Sequence, residues 1–290
     1  MSQRKGNLMG IRKDIQVLDA TIRDGGLCNN FEFSDEFVSA LYKMNVRCGI
    51  DYMEFGYKAS KNMFKESDFG KWKFCNEEDI RAIVGDNRSD MKISVMADVG
   101  RCDYLTDFLP KEESVIDMVR VACYIHQIST AIEMIEHLHS LGYETACNIM
   151  AISQASHDQV EMALQMLSQS SVDVIYLVDS YGSLYPENAS ELAIEYVNAV
   201  EGTGKKIGFT PFASPTAVSP IFLPVSKSST TARSLPSISE RRASARAVFC
   251  IFPSSISSHI VSGSRPFACT VAERHMFVKS FQPGRSGFSS

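Results

Sequence analysis

The chain has 290 residues, of which 44% are hydrophobic, so it can form one large domain or two small ones with a substantial core. A net charge of −5 argues against a nucleic-acid partner or an anionic membrane surface. The N-terminus lacks the apolar stretch of a secretory signal, and no segment approaches the roughly 18 apolar residues of a membrane span. Eight cysteines without a C-x-x-C pair predict free thiols in a reducing cytoplasm.

The composition changes sharply after Phe209. Residues 210–290 contain 19 serines and 8 of the chain's 10 prolines, but no Asp, Asn, Tyr or Trp. They carry 9 basic and 2 acidic residues, a net charge of +7, whereas residues 1–209 carry 20 and 32, a net charge of −12. One interpretation is a low-complexity extension. The missing turn residues and the apolar run AVFCIFP favour a second one, translation out of the original reading frame.

We therefore divide the chain into an N-terminal extension (1–13), an interpretable domain (14–209) and an anomalous, poorly ordered tail (210–290). Along the domain, strand-like and helix-like segments alternate. A strand at IQVLDATI, with Gly25 and Gly26 as its stop, precedes a helix capped by Ser34. Further strands are predicted at DYMEFGY, KISVMADV, DMVRVACYI, TACNIMAI and VDVIYLVDS, and KKIGF opens a seventh. A helix follows each of these strands except KISVMADV, which leads into an irregular stretch, and KKIGF, where the pattern stops.

The sequence contains about six and a half strand–helix units, and its strands are too apolar to expose one face to solvent. This pattern indicates an α/β fold with a parallel sheet covered by helices. An eight-stranded TIM barrel and a doubly wound open sheet both fit this pattern. Polar residues at or near the ends of different strands favour the barrel, because a barrel gathers those ends around one site. An open sheet more often carries a G-x-G-x-x-G turn after its first strand, and RDGGLCNNFEF lacks that spacing. We predict a TIM (β/α)8 barrel that is incomplete.

Arg23 and Asp24 are the first candidates for chemistry. A carboxylate at a strand tip suits a hard divalent cation, and a fixed arginine beside it can stabilise an enolate oxygen in the transition state. The alternative is a structural Arg–Asp pair that is bonded to neighbouring loops. Glu54, in the second strand, would orient Arg23 or a metal-bound water, or else form a buried salt bridge.

Four further residues are candidates for binding substrate. Asp179 and Ser180, in YLVDSYGSLYP, could bond substrate or water, or could instead form a turn ahead of Pro186. Arg120 and Asn148 lie within strands and are candidate pocket-lining groups. Each of these two, taken alone, is more often a satisfied polar residue of the core.

The motifs LDATIRDGG, DYMEFGY and VDSYGSLYPE resemble the catalytic domain of the hydroxymethylglutaryl-CoA lyase-like superfamily, the DRE-TIM metallolyases, over about residues 14–209. The segment RDGG with the following NN is more similar to the aldolase branch, which includes 4-hydroxy-2-oxovalerate aldolases. The resemblance implies a TIM barrel that holds Mn²⁺ or Mg²⁺ and makes or breaks a carbon–carbon bond through an enolate of a 2-oxo acid.

Position by position, the resemblance assigns Asp24 as a metal ligand, Arg23 as the enolate-stabilising arginine and Glu54 as the second-strand glutamate. It implies a 2-oxo acid and an aldehyde as small-molecule partners, with a homodimer or a partner dehydrogenase as open possibilities for assembly. An acetyl-CoA-dependent acyltransferase of the same superfamily is a weaker alternative.

The chain departs from the pattern of this superfamily in two places. Leu27 stands where oxovalerate aldolases have a histidine, the proposed base. After KKIGF, where the superfamily continues with the metal-binding His-x-His, the chain reads TPFASPTAVSP. The second departure raises the alternative that the chain as written is a catalytically inactive, truncated product.

Overall fold

The computed structural model describes residues 15–210 and 247–251. Its strands are β1 Ile15–Asp19, β2 Tyr52–Tyr57, β3 Lys92–Asp98, β4 Met118–Tyr124, β5 Glu144–Met150, β6 Val174–Val178, β7 Lys206–Thr210 and β8 Ala247–Ile251. Its α-helices are α1 Thr21–Asn29, α2 Asp35–Cys48, α3 Glu77–Val84, α4 Ile128–Ser140, α5 His157–Gln169 and α6 Pro186–Ala199. Among these residues no helix has both the length and the apolar character needed to cross a bilayer.

The strands pair in parallel in chain order and close into a barrel, in which β8 pairs with both β7 and β1. An α-helix follows β1, β2, β4, β5 and β6, whereas the connection after β3 contains only a short helical turn at Lys111–Glu113. The predicted α/β class and the TIM-type barrel with incomplete βα units are thereby confirmed.

Strand β8 falls in the segment 210–290, where the sequence had indicated no strand. The remainder of that segment, 211–246 and 252–290, and the predicted N-terminal extension lie outside the described residues. The domain boundaries at 13 and 209, and the reading-frame interpretation, therefore stay predictions.

Side chains that alternate along the strands form two apolar clusters. The smaller cluster fills the inside of the barrel and consists of Leu18, Ala20, Tyr52, Met118, Ala146, Val174 and Tyr176. The larger cluster packs the outer face of the sheet against the helices, and Val95, Val121 and Ile149 belong to it. Because apolar groups cover both faces of the sheet, most strands read as nearly continuous apolar runs.

The predicted extent of the first strand was wrong. Strand β1 ends at Asp19, and α1 then runs through Gly25 and Gly26, which had been taken as a stop signal. The Asp19 carboxylate accepts hydrogen bonds from the backbone N–H and the hydroxyl of Thr21, at 3.2 and 2.8 Å, and so turns the chain into the helix. A Cβ at Gly26 would lie 2.1 Å from the ring of Phe31, so this glycine lets Phe31 pack closely against α1.

The amino ends of the strands meet at Glu144, on the side of the barrel opposite the ends that carry Arg23. Its carboxylate lies 2.6 Å from Lys92 Nζ and 3.1 Å from Lys206 Nζ, and it accepts a hydrogen bond of 3.0 Å from the Tyr52 hydroxyl. Burial by itself would raise the pKa of Glu144, but the two ammonium groups hold it below its ordinary value of 4.5. Glu144 thus joins the first residues of β2, β3 and β7 to β5.

Replacing Glu144 with glutamine should reduce the free energy of unfolding by about 1–2 kcal/mol at pH 7. A carboxylate whose folded pKa is depressed stabilises above its unfolded pKa, and this contribution is lost as the pH falls through the folded value. The difference between wild type and Glu144→Gln should therefore shrink below pH 4.5. Urea denaturation at several pH values measures this difference in the free energy of unfolding. The exposed Glu66, paired with Lys61, offers a control in Glu66→Gln, and an equal loss there would contradict the prediction.

Candidate active site

Arg23 and Asp24 lie in the first turn of α1, directly after β1 and at the carboxyl end of the barrel. The Arg23 Nη1 group donates a 2.6 Å hydrogen bond to Asp24 Oδ1. Asp24 keeps partial access to solvent, because 31% of its side chain is exposed, whereas Arg23 is buried. An acidic side chain in the first turn also interacts favourably with the positive end of the helix dipole.

Glu54 is the centre of the buried charge cluster. It lies in β2, is fully buried, and through Oε2 accepts hydrogen bonds from Arg23 Nε at 2.8 Å and from Arg120 Nη1 at 2.7 Å. One carboxylate therefore holds two guanidinium groups from α1 and β4. The structure thus brings together Arg23, Asp24, Glu54 and Arg120, four of the seven predicted site residues.

The charge states of this cluster follow from its pairings. Burial by itself would raise the pKa of Glu54, but Arg120 and Arg23 hold it below its ordinary value. Burial would likewise lower the pKa of Arg23, but the carboxylates of Asp24 and Glu54 raise it above its ordinary value. Glu54 therefore stays ionised at neutral pH, and Arg23 carries a permanent positive charge.

Arg120 is fully buried inside the barrel. Its guanidinium carbon lies 4.3 Å from the ring centroid of Tyr176 in β6, and Nη2 lies 3.5 Å from the hydroxyl of Thr210 at the end of β7. Together with its bond to Glu54, these contacts connect four strands through one side chain. Arg120 thus fixes the orientation of Glu54, and Glu54 in turn fixes Arg23.

Two buried oxygen acceptors of this region receive no hydrogen bond from the residues that the structure describes. They are Glu54 Oε1 and Asn148 Oδ1, and Asn148 is only 3% exposed. Strand register places Asn148 beside Tyr176, the residue on which Arg120 stacks. A buried acceptor without a donor is costly, so both atoms suit a water molecule or a hydroxyl group of a ligand.

Asp179 bonds within the turn that follows β6, and Ser180 bonds to the loop that follows β5. The Asp179 Oδ1 atom accepts a 3.1 Å hydrogen bond from the Ser183 backbone N–H. Ser180 Oγ accepts one of 3.0 Å from the backbone N–H of Ala151, a residue with a positive φ of 56°. The Asp179 contact fits the turn interpretation of the sequence, whereas the Ser180 contact joins two loops; a role of either residue in substrate binding stays a prediction.

The donor set present in residues 15–210 does not by itself fit a divalent metal ion. In this part of the chain no three histidine, cysteine, aspartate or glutamate side chains converge. Asp24 binds Arg23 through one of its oxygens, and Oε2 of Glu54 is shared by two arginines. Thr210 ends β7 at the point where the resemblance predicts a histidine pair, and residue 212 lies outside the described residues.

A second polar cluster, next to the first, was not predicted from the sequence. Tyr57, Lys73, Asp98 and Arg101 lie around a narrow gap at the mouth of the barrel, which Lys58, Ala59 and Phe64 also line. Burial raises the pKa of Asp98, and Lys73, Arg101 and Arg23 offset part of that effect. Asp98 ends a predicted strand, which was a signal for it, but Lys73 lies at the end of a polar loop and gave none.

Known proteins that are similar to the chain carry related names, although no protein-family model matches it. The oxaloacetate decarboxylase of Mycobacterium tuberculosis is 25% identical over 198 residues, which are 67% of this chain and 55% of that protein. The 4-hydroxy-2-oxovalerate aldolase of Geobacillus thermodenitrificans is 22% identical over 184 residues, 63% of this chain and 53% of that protein. The chain thus spans about half the length of the curated relatives it matches.

Among solved structures, the hydroxymethylglutaryl-CoA lyase of Pseudomonas aeruginosa has a similar fold, with a TM-score of 0.52 and 16% identity over 69% of each chain. The matched proteins are named decarboxylase, aldolase and lyase, which agrees with the predicted enzyme class. These similarities confirm the resemblance to the hydroxymethylglutaryl-CoA lyase-like superfamily that the sequence motifs predict.

Proposed function

We propose that the protein is a carbon–carbon lyase of the aldolase type that acts on a 2-oxo acid through an enolate. The observation that carries this proposal is the position of Arg23, a buried cation held by Glu54 and Asp24 at the mouth of the barrel. The substrates in the relatives' names, oxaloacetate and 4-hydroxy-2-oxovalerate, are both 2-oxo acids.

In such a reaction the bond between C3 and C4 of a 4-hydroxy-2-oxo acid breaks, and its electron pair moves onto the C2 carbonyl to form an enolate. The C4 hydroxyl loses its proton and becomes the aldehyde, and the enolate later takes a proton at C3. Arg23 supplies fixed positive charge where the enolate oxygen develops, so it stabilises the transition state more than the ground state. Glu54 stays ionised and acts by holding Arg23 in place.

Mn²⁺ or Mg²⁺ is the cofactor implied by the resemblance, and Asp24 is the residue assigned to it. Asn148 and Glu54 Oε1 present acceptors that suit the substrate hydroxyl or a bound water. We assign no step to the metal, because no three side chains that could bind it converge among the described residues. The substrate, its aldehyde product and assembly as a homodimer or with a dehydrogenase belong to this proposal.

Incubation with 4-hydroxy-2-oxovalerate and Mn²⁺ or Mg²⁺ should release pyruvate, which lactate dehydrogenase and NADH report. Replacing Asp24 with alanine should abolish this release, because family-like metal binding needs every ligand. Asp68→Ala, a change at an exposed aspartate, is the control and should leave the rate unchanged. Full activity in Asp24→Ala would refute the role of Asp24.

A second candidate is a catalytically inactive chain. It is favoured because Thr210 stands where the resemblance predicts a metal-binding histidine. Sequencing the coding DNA across codons 200–215 tests it, since another frame that continues KKIGF with His-x-His would identify this chain as a damaged copy of an active enzyme. The wild-type chain should then release no pyruvate, and the frame-corrected chain should do so. Release of pyruvate by the chain as written would exclude this candidate.

A further inference from the structure

Three aspartates occupy equivalent positions at the amino end of the barrel, away from the residues that the proposed chemistry uses. Asp51, Asp117 and Asp173 directly precede the even-numbered strands β2, β4 and β6. Through Oδ2, each carboxylate accepts a 2.8 Å hydrogen bond from a backbone N–H group of the preceding strand. The donors are Val17 in β1, Ile93 in β3 and Thr145 in β5.

The backbone of each aspartate makes two further bonds. Its N–H donates to the carbonyl of the same partner residue, at 3.0 Å for Asp51, 2.8 Å for Asp117 and 3.1 Å for Asp173. Its carbonyl accepts a bond from the first N–H of the following strand, and the donors are Lys92, Glu144 and Lys206. Each aspartate thus links the start of an even-numbered strand to both of its neighbours, and we call this set of bonds an aspartate clamp.

Strand register predicts where a fourth clamp would lie, between β7 and β8. The residue after each aspartate pairs with the residue after its partner in the preceding strand. Val248 pairs with Gly208 in the same way, and Ala247 lies opposite Ile207. Position 247 is therefore equivalent to the three aspartates, but the methyl group of alanine has no atom that accepts a hydrogen bond. Ala247 cannot supply the carboxylate bond that the other three junctions have.

The extent of backbone pairing points to the same junction. Strand β7 pairs with β6 along residues 206–210, and β8 pairs with β1 along residues 247–251. Between β7 and β8 the pairing extends along residues 207–209 of β7. It is shorter still between β1 and β2, at residues 18 and 19 of β1, but there Asp51 supplies a clamp. Strand β7 is therefore held mainly by β6, and β8 mainly by β1.

We infer that the barrel opens first between β7 and β8, because this junction combines a short ladder with an alanine at the clamp position. A bond from an N–H group to a carboxylate is charge-assisted and contributes more than one between neutral groups, so a junction without it opens more easily. The opening borders the candidate site, since the hydroxyl of Thr210 at the end of β7 lies 3.5 Å from Arg120 Nη2. The inference does not depend on the proposed chemistry.

Hydrogen exchange of single backbone amides in the full chain, followed by NMR, measures local opening. The N–H of Lys206 and the carbonyl of Thr210 both bond towards β6, so the N–H of Phe209, which alternates with them, faces β8. Val95 is the equivalent residue of β3, and its N–H faces β4 across a clamped junction. In the wild type the N–H of Phe209 should exchange about tenfold faster than that of Val95, as one charge-assisted hydrogen bond allows.

Variants that add or remove a clamp test the cause. Ala247→Asp supplies the fourth carboxylate and should slow the exchange of Phe209 about tenfold while leaving Val95 unchanged. Ala245→Asp is the matched control, since it adds the same charge two residues earlier and should slow neither. Asp51→Ala removes an existing clamp and should accelerate the exchange of the Asp19 N–H about tenfold, whereas Asp51→Asn keeps an acceptor oxygen and should accelerate it less.

Equal exchange of Phe209 and Val95 in the wild type would overturn the inference, and this result requires no variant to fold. Unchanged exchange of Phe209 in folded Ala247→Asp would also overturn it. If Ala245→Asp slowed Phe209 as much as Ala247→Asp does, charge and not register position would explain the effect, and the inference would fall. Unchanged exchange of Asp19 in Asp51→Ala would show that the clamps do not hold the junctions closed.

Discussion

Replacing Glu54 with alanine is expected to reduce the free energy of unfolding by at least about 3 kcal/mol, or to prevent folding. The change removes the carboxylate that accepts hydrogen bonds from Arg23 and Arg120 and leaves two buried positive charges close together. Repulsion between them adds to the cost of the cavity that the missing side chain leaves. Chemical denaturation, followed by circular dichroism, measures the effect.

A double variant distinguishes the loss of charge balance from the loss of volume. In Glu54→Met with Arg120→Met, one buried charge pair is replaced by apolar groups of comparable size, and Arg23 keeps Asp24 as its partner. Such replacements are often close to neutral, so the double variant should be more stable than Glu54→Ala. If the double variant is as unstable as Glu54→Ala, the loss of side-chain volume, and not the loss of charge balance, accounts for most of the destabilisation.

Replacing Arg23 with methionine is expected to slow enolate formation by about 10²- to 10³-fold, the usual cost of losing one fixed donor to a developing oxyanion. The measurement is the exchange of pyruvate methyl protons in D₂O, followed by proton NMR with Mn²⁺ present. This exchange requires the enolate but no aldehyde, so it isolates the step to which Arg23 is assigned. Melting curves of the same sample show whether the variant is folded.

The control is Arg88→Met, because the side chain of Arg88 is 92% exposed and should not influence exchange. Arg23→Lys separates charge from geometry, since lysine keeps the charge but lacks the planar fork that binds Glu54 and Asp24 together. Exchange at the wild-type rate in folded Arg23→Met would contradict the proposed mechanism. Absence of exchange in the wild type would favour the inactive chain instead.

The sequence alone determined the fold class, because the apolar strands and the alternating helices leave few other ways to bury both faces of a parallel sheet. It also determined that Arg23 and Asp24 lie at the carboxyl end of the barrel, since both follow the first strand directly. The sequence also predicted that Glu54 lies close to these two residues, because a parallel barrel brings the carboxyl ends of its strands together.

Only the tertiary structure decided which of these residues touch. Glu54 and Arg120 are 66 residues apart in the chain, and no local pattern indicates that one carboxylate oxygen serves both Arg120 and Arg23. The need for a glycine at position 26 likewise depends on the ring of Phe31, which occupies the space that a side chain there would take.

The burial of Lys73 was not predictable from the sequence. Lys73 ends a loop whose polar composition predicts exposure, yet its ammonium group lies against the rings of Phe31, Tyr57 and Phe64. Burial and electrostatic environment are set by contacts between residues far apart in the chain, whereas secondary structure follows from local periodicity. The sequence therefore identified the elements and the charged pair, and the packing of the barrel decided their partners.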